Sequence, residues 1–296
     1  MKLTTIKGTI TALVTPFNQD GSIDYPSLDG LIDFQIENKI DGILVCGTTG
    51  ESPTLSFQEK TDVITHSVEY AAGRVPIIAG TGSNDTKGSV KLTKVAKERG
   101  ADAALIVTPY YNKPTQDGLF EHFRFIADSV DMPQILYNVP GRTATNVAAE
   151  TQLRVAEECK NVIATKEASG NIAQMAEIIH HKPEGFELMS GDDLLTLPII
   201  SIGGNGVISV VSNIMPAKFK KLTDLALEGK YYQARKIHYE MLDIMNTNFI
   251  ESNPIPVKGA LAAMGMIKEE YRMPMFPLKT KNKEIVRAAL KKEGLI

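Results

Sequence analysis

The sequence contains no tryptophan, only two cysteines and five histidines, and no large excess of charge of either sign. The cysteines, Cys46 and Cys159, are too few for a disulfide framework and lack the spacing of metal ligands. The histidines form no pair at metal-binding spacing, so we predict no metal site. A formal net charge of −3 argues against binding to nucleic acid or to an anionic membrane.

Long apolar runs are also missing. No stretch of about 18 apolar residues is present to span a membrane, and the first eight residues contain no apolar signal region. What remains is an ordinary globular composition, with 43% hydrophobic and 23% charged residues among 296. We therefore expect a cytoplasmic protein, for which two free cysteines are suited to a reducing compartment.

Eight short apolar, β-branched runs alternate with segments of helical periodicity. The runs are Thr9–Val14, Gly42–Cys46, Val75–Ala79, Ala103–Val107, Gln134–Asn138, Val162–Lys166, Phe186–Ser190 and Gly206–Val210. An alternation through eight strands predicts a (β/α)₈ (TIM) barrel of the α/β class, because a doubly wound sheet usually stops sooner. Helical segments alone follow, at Pro216–Glu228, Tyr231–Met245, Val257–Met264 and Lys283–Lys292. We predict a catalytic barrel over residues 1–225 and a C-terminal helical extension over residues 226–296, packed on the barrel.

Lys166 ends the sixth run. Val162, Ile163 and Ala164 are typical of a strand buried on both faces, and a period of two places Lys166 on the face of Val162 and Ala164. Burial lowers the pKa of a lysine, and a neutral amine attacks carbonyl carbon. The alternative from this stretch alone is a surface lysine at a strand exit.

Chemical groups suited to the same reaction follow other strands, where the active residues of such barrels collect. Gly47-Thr48-Thr49-Gly50 offers hydroxyls and backbone N–H groups to a carboxylate, or else caps the next helix. Tyr137 and Tyr111 are candidates for proton transfer or for packing at the barrel mouth. Arg142 either binds a carboxylate through two hydrogen bonds or is a solvated surface arginine. Together these groups suit Schiff-base chemistry on a keto acid.

Six motifs in order resemble those of the 4-hydroxy-tetrahydrodipicolinate synthase (dihydrodipicolinate synthase) family, which are class I Schiff-base lyases. The motifs are Gly47-Thr-Thr-Gly-Glu-Ser, Tyr137-Asn-Val-Pro-Gly-Arg-Thr, Lys166-Glu-Ala-Ser-Gly, Ser190-Gly-Asp-Asp, Gly206-Val-Ile-Ser and Ser252-Asn-Pro-Ile-Pro-Val-Lys258. The resemblance covers the chain from about Gly8 to Ile296.

The resemblance implies a carbon–carbon condensing lyase of lysine and diaminopimelate biosynthesis that needs no cofactor. It would join pyruvate to L-aspartate 4-semialdehyde. Lys166 would form the imine with pyruvate and Tyr137 would donate and accept protons. Thr48 and Tyr111 would link Tyr137 to solvent.

The remaining roles implied by the resemblance concern substrate binding and assembly. Thr49 and the backbone of Ile208 would hold pyruvate, with Gly191 also at the substrate site, and Arg142 would bind the carboxylate of the semialdehyde. Members of the family are usually homotetramers built from tight dimers. In these dimers the tyrosine matching Tyr111 reaches into the site of the neighbouring subunit.

Two alternatives stay open at this point. N-acetylneuraminate and 2-keto-3-deoxy-sugar lyases share the lysine, the tyrosine and a similar glycine loop, but typically carry an apolar residue in place of Arg142. A non-catalytic keto-acid sensor would form no covalent adduct on Lys166.

The chain departs from lysine-inhibited relatives at three positions. Phe57, Lys60 and Gly88 stand where those relatives carry two histidines and a glutamate near the allosteric site. Because a cation at Lys60 and the loss of the glutamate disfavour a lysine ammonium group, we predict weak or absent inhibition by lysine.

Overall fold

Eight parallel strands form a closed barrel in a computed structural model that describes residues 5–296. Neighbouring strands are also neighbours in sequence, and β8 pairs with β1 to close the ring. The strands are β1 Gly8–Ala12, β2 Gly42–Val45, β3 Ile77–Gly80, β4 Ala103–Val107, β5 Gln134–Asn138, β6 Val162–Glu167, β7 Glu187–Ser190 and β8 Gly206–Ser209. The predicted (β/α)₈ barrel is confirmed; the start of its predicted domain, residues 1–4, lies outside the described residues.

Helices surround the strands and continue beyond them. Around the barrel lie α1 Tyr25–Glu37, α2 Phe57–Ala71, α3 Thr86–Glu98, α4 Gln116–Ser129, α5 Pro140–Thr143, α6 Ala149–Glu158, α7 Ile172–His181, α8 Thr196–Ser201 and α9 Pro216–Leu227. The extension contains α10 Tyr231–Glu240, α11 Leu242–Thr247, α12 Ile255–Ala263 and α13 Thr280–Lys292. The single helix predicted over Tyr231–Met245 is wrong, since it is two helices that meet at Met241. None of the helices described between residues 5 and 296 is long and apolar enough to cross a membrane.

The strands are buried on both faces, which is why they are continuous apolar runs rather than alternating ones. Ile10, Leu44 and Ile78 pack inside the barrel, and other side chains of the same strands pack against the helices.

The alternation of side chains is interrupted in β6. The pairing register between β5 and β6 shifts at Gln134 and Ile135. Ile163 and Ala164 consequently both pack inside the barrel, whereas Val162 packs in the outer layer. The prediction that Val162 shares the face of Lys166 is therefore wrong, because an irregularity in the ladder re-aims the side chains that follow it.

The C-terminal extension shares a hydrophobic core with the barrel. Val257 and Leu261 of α12, with Val286 and Leu290 of α13, are buried in the cluster that contains Phe17 beyond β1. The extension thus packs beside the loops that follow the first strands. The domain boundary after residue 225 stays a prediction.

Candidate active site

Lys166 is buried at the end of β6, with 5% of its surface exposed. The strand register pairs it with Tyr137 of β5, and its Nζ lies 4.4 Å from the centroid of the Tyr137 ring. Burial lowers the pKa of Lys166 to about 7; the charge of Asp193 opposes this shift and that of Arg142 adds to it. At a pKa of about 7, roughly half of the amine is neutral at neutral pH.

Because Gly191 has no side chain, it leaves room for the side chain of Lys166. A Cβ atom at Gly191 would lie 3.1 Å from Cε of Lys166 and 2.6 Å from Cβ of Ala168. The glycine that follows β7 therefore permits the close approach of β6.

Tyr137 is as deeply buried as Lys166, with 6% exposure. Burial raises the pKa of its phenol above 10.0, while the charge of Arg142 and a hydrogen bond from the Thr48 side chain lower it. Thr48 thus lies beside the phenol of Tyr137, and its part in proton transfer stays an implication of the family resemblance.

The glycine loop after β2 is held from two sides. The Thr15 hydroxyl donates to the Gly50 carbonyl at 2.7 Å. Thr49 is 2% exposed, and its Oγ1 accepts a hydrogen bond from Nδ2 of Asn253 at 3.0 Å. The alternative that the threonines cap the next helix is wrong, because Ser56 caps α2.

A cavity of about 250 Å³ has Thr48, Tyr137 and Arg142 in its wall. Arg142 lies on the short helix α5, and its Nη2 donates to the carbonyl of Asn253 at 3.3 Å. Arg142 is exposed as a residue and lines the cavity, so its remaining N–H groups can bind an anion that enters from solvent.

The wall of this cavity does not include every predicted site residue, since Lys166, Thr49, Gly191, Ile208 and Tyr111 are not among the residues that line it. Tyr111 is 90% exposed and has a φ of 74°, and the wall of the cavity contains its neighbour Tyr110 instead. Ile208 of β8 is 1% exposed and packs with Met189 inside the barrel. The structure of a single chain therefore brings Lys166, Tyr137 and Thr48 together but leaves Tyr111 outside.

Glu167 is a buried carboxylate that the sequence reasoning did not single out. It is fully buried and accepts hydrogen bonds from Asn138 at 3.1 Å, Gln152 at 3.0 Å and Gln174 at 2.9 Å. These bonds hold the end of β6 against β5 and the helices behind it. Its place directly after Lys166 was the available signal.

Asp193 was also missed, although it belongs to the Ser190-Gly-Asp-Asp motif. It is 1% exposed, and its Oδ2 accepts from the backbone N–H groups of Val210 at 3.1 Å and Val211 at 2.9 Å. Burial raises the pKa of Asp193 to about 6. A carboxylate in this place ties the end of β8 to the loop after β7.

An amine of lowered pKa, buried against a phenol at the strand ends of a closed barrel, can form imines with carbonyl compounds. Fold and site together define the class of Schiff-base lyases built on a (β/α)₈ barrel.

Comparison with known proteins narrows this class. The model of the dihydrodipicolinate synthetase family matches residues 5–293. The 4-hydroxy-tetrahydrodipicolinate synthase of Aquifex aeolicus is 50% identical over 289 residues, which are 98% of this chain and 98% of that protein. The crystal structure of dihydrodipicolinate synthase from Aquifex aeolicus matches with a TM-score of 0.97 at 49% identity, covering 98% of this chain and 99% of that one. The chain belongs to the dihydrodipicolinate synthetase family.

Another solved structure is described as a monomeric dihydrodipicolinate synthase variant. It matches with a TM-score of 0.96 at 40% identity and covers 98% of each chain. The fold of one chain is therefore shared with a relative that is itself monomeric.

Proposed function

We propose that this chain is a 4-hydroxy-tetrahydrodipicolinate synthase, which condenses pyruvate with L-aspartate 4-semialdehyde in lysine and diaminopimelate biosynthesis. The observation that carries the proposal is the buried Lys166 amine, 4.4 Å from the Tyr137 ring centroid and with a pKa lowered to about 7. The half-identical relative named for this activity supports the choice of substrates.

Lys166 starts the reaction. Its neutral amine attacks the ketone carbon of pyruvate, the ketone oxygen leaves as water, and the resulting imine loses a methyl proton to become an enamine. The enamine carbon attacks the aldehyde of the second substrate. The amino group of that substrate then closes on the imine carbon and releases Lys166.

Tyr137 moves the protons in these steps. Its phenol is hydrogen-bonded to Thr48 and lies beside Lys166, so it can protonate the departing oxygen and recover the proton later. Tyr111 would complete the relay from a second copy of the chain, as the family resemblance implies, and its 90% exposure leaves it free to contact a neighbouring subunit. The assembly would be a homotetramer made of two tight dimers.

The two substrate carboxylates are held at different places. Thr49 and the backbone of Ile208 hold pyruvate deep in the barrel, in space that Gly191 keeps open, while Arg142 holds the semialdehyde at the mouth. An arginine at the entrance suits a short acidic aldehyde better than the polyol chain of a sugar. The protein would work in the cytoplasm, and its two cysteines are buried and unpaired.

Turnover assays test the proposal directly. We expect condensation of pyruvate with aspartate semialdehyde and no cleavage of N-acetylneuraminate. Pyruvate with borohydride should add one reduced pyruvyl group to Lys166 and nothing to the Lys166→Ala variant. Cleavage of the sugar acid would identify the other branch of lyases, and the absence of a covalent adduct would identify a sensor.

A further inference from the structure

Asn253 joins the C-terminal extension to two residues of the proposed site. Its side-chain Nδ2 donates to Oγ1 of Thr49 at 3.0 Å, and its main-chain carbonyl accepts from Nη2 of Arg142 at 3.3 Å. Asn253 is 5% exposed and lies between α11 and α12, more than 200 residues after Thr49. One residue thus contacts both groups proposed to hold a carboxylate.

The bond to Thr49 decides where the threonine proton points. A hydroxyl has one proton and can accept two hydrogen bonds. Because Oγ1 accepts the amide N–H, the proton of Thr49 is not used on Asn253 and stays available for a carboxylate oxygen. Donation by the amide also polarises the hydroxyl, which makes it the better donor.

A buried ion pair fixes the distance between the two segments. Nζ of Lys258 on α12 lies 2.5 Å from Oε1 of Glu51, the residue that follows the glycine loop, and the side chains are 0% and 1% exposed. The backbone N–H of Arg272 donates to the other Glu51 oxygen at 3.2 Å. The glycine loop and the extension are therefore tied both at Glu51 and at Thr49.

We infer that Asn253 is a positioning residue for the proposed reaction. Its side chain sets the Thr49 hydroxyl for the carboxylate of pyruvate, and its carbonyl sets Arg142 for the carboxylate of the second substrate. The inference rests on the proposed function and assigns a share of substrate recognition to the C-terminal extension.

The side chain and the carbonyl can be separated by mutation. Asn253→Ala removes the bond to Thr49 and keeps the carbonyl, so the KM for pyruvate should rise about three- to tenfold, the scale of one neutral hydrogen bond. The KM for the semialdehyde should change less than about twofold. Asn253→Asp keeps the shape but accepts the Thr49 proton and adds negative charge, so it should raise the pyruvate KM further than alanine does.

Asn248→Ala is the matched control. Asn248 is buried in the same extension, and its Nδ2 bonds to the Ile244 carbonyl instead of the glycine loop. It should leave both KM values unchanged even if the thermal midpoint falls. Parallel increases of both KM values in Asn253→Ala would mean that its side chain only supports the fold, and would overturn the inference.

A double-mutant cycle gives the decisive reading. In a Thr49→Ala background, Asn253→Ala should add no further rise in pyruvate KM, because the shared bond is already lost. Borohydride trapping on Lys166 at increasing pyruvate concentration measures the affinity for pyruvate independently of the condensation step. A wild-type chain that traps no pyruvate overturns the proposed function as well, whereas additive effects of the two substitutions overturn only the role of Asn253.

Discussion

At the scale of single residues, the proposed chemistry depends on the amine of Lys166 losing its proton. Lys166 is 5% exposed, and an ammonium group in that place lacks the hydration that stabilises it in water. A surface lysine at pH 7 is almost entirely charged, with a pKa of about 10.4. The fold thus lowers the pKa of a common side chain by burying it, which is what the proposed nucleophile requires.

The rate of imine formation should increase with the fraction of Lys166 that is deprotonated. With a pKa of about 7, the neutral fraction rises as the pH increases through 7 and levels off above about pH 8. The initial rate of borohydride-trapped adduct, measured between about pH 5.5 and 9.5, should rise and then reach a plateau. A rate that keeps rising tenfold per pH unit beyond pH 9 would show an ordinary solvated lysine.

Arg142→Ala should separate the two substrates. The exposed guanidinium is proposed to bind only the semialdehyde, so its KM should rise about tenfold and turnover should fall, while pyruvate still forms an imine. Steady-state kinetics with each substrate varied measure the split. Arg142→Lys keeps the positive charge without the bidentate geometry, so its KM for the semialdehyde should lie between those of the wild type and Arg142→Ala. Abolished imine formation in Arg142→Ala would indicate that Arg142 has a structural role.

At the scale of elements, the site depends on a contact between α12 and the loop after β2. Lys258 and Glu51 form a fully buried pair, and Nζ of Lys258 also lies 4.3 Å from the ring centroid of Phe17 and 5.1 Å from that of Tyr271. The strand ends alone would leave the glycine loop without this support. The extension therefore supports the loop that carries part of the proposed site.

Breaking the buried pair should cost stability. Lys258→Met leaves the Glu51 carboxylate buried without its cation, and we expect the free energy of unfolding to fall by about 3–5 kcal/mol. Urea unfolding followed by circular dichroism measures the change. Adding Glu51→Gln should recover part of the loss because the unpaired charge is removed. A Lys258→Met variant as stable as the wild type would contradict a stabilising pair.

At the scale of the whole molecule, the proposed relay needs a second chain. Tyr111 is 90% exposed, so its contribution to catalysis depends on docking against a neighbouring subunit. A homodimer with a two-fold axis would exchange Tyr111 between both sites. The catalytic unit would then be a dimer rather than a single barrel.

Mixed dimers test this exchange. Lys166→Ala and Tyr111→Phe chains should each be inactive or slow alone. Co-expression should restore about a quarter of the wild-type rate, because random pairing makes half of the dimers mixed and each contains one complete site. If Tyr111 acted within its own chain, co-expression would restore no activity. Sedimentation of the mixture checks that the two kinds of chain form dimers.

Lysine should inhibit weakly or not at all. Lys60 lines the cavity, and Nζ of Lys91 lies 4.4 Å from the ring centroid of Phe57, so lysine side chains occupy or contact two of the three differing positions. Gly88 offers no carboxylate in compensation. Coupled assays with about 1 mM lysine, with glycine as the control amino acid, should show unchanged rates; strong inhibition below that concentration would contradict the prediction.

The sequence by itself determined the barrel and most of the chemical groups. Strands buried on both faces must be continuous apolar runs, so their number could be counted without coordinates. Lys166 and Tyr137 lie at the ends of such runs and the threonine loop follows one, and strand ends meet at one face of a barrel. The break at Met241 and the shift in β6 left no comparable mark in hydrophobic periodicity.

Only the tertiary structure decided how those groups are held. The bond from Asn253 to Thr49 and the pair of Lys258 with Glu51 each join segments more than 200 residues apart. Local patterns carry no information on such contacts, because they depend on where a folded chain returns. The low pKa of Lys166 has the same origin, since desolvation is a property of everything packed around the amine and not of the residues beside it in sequence.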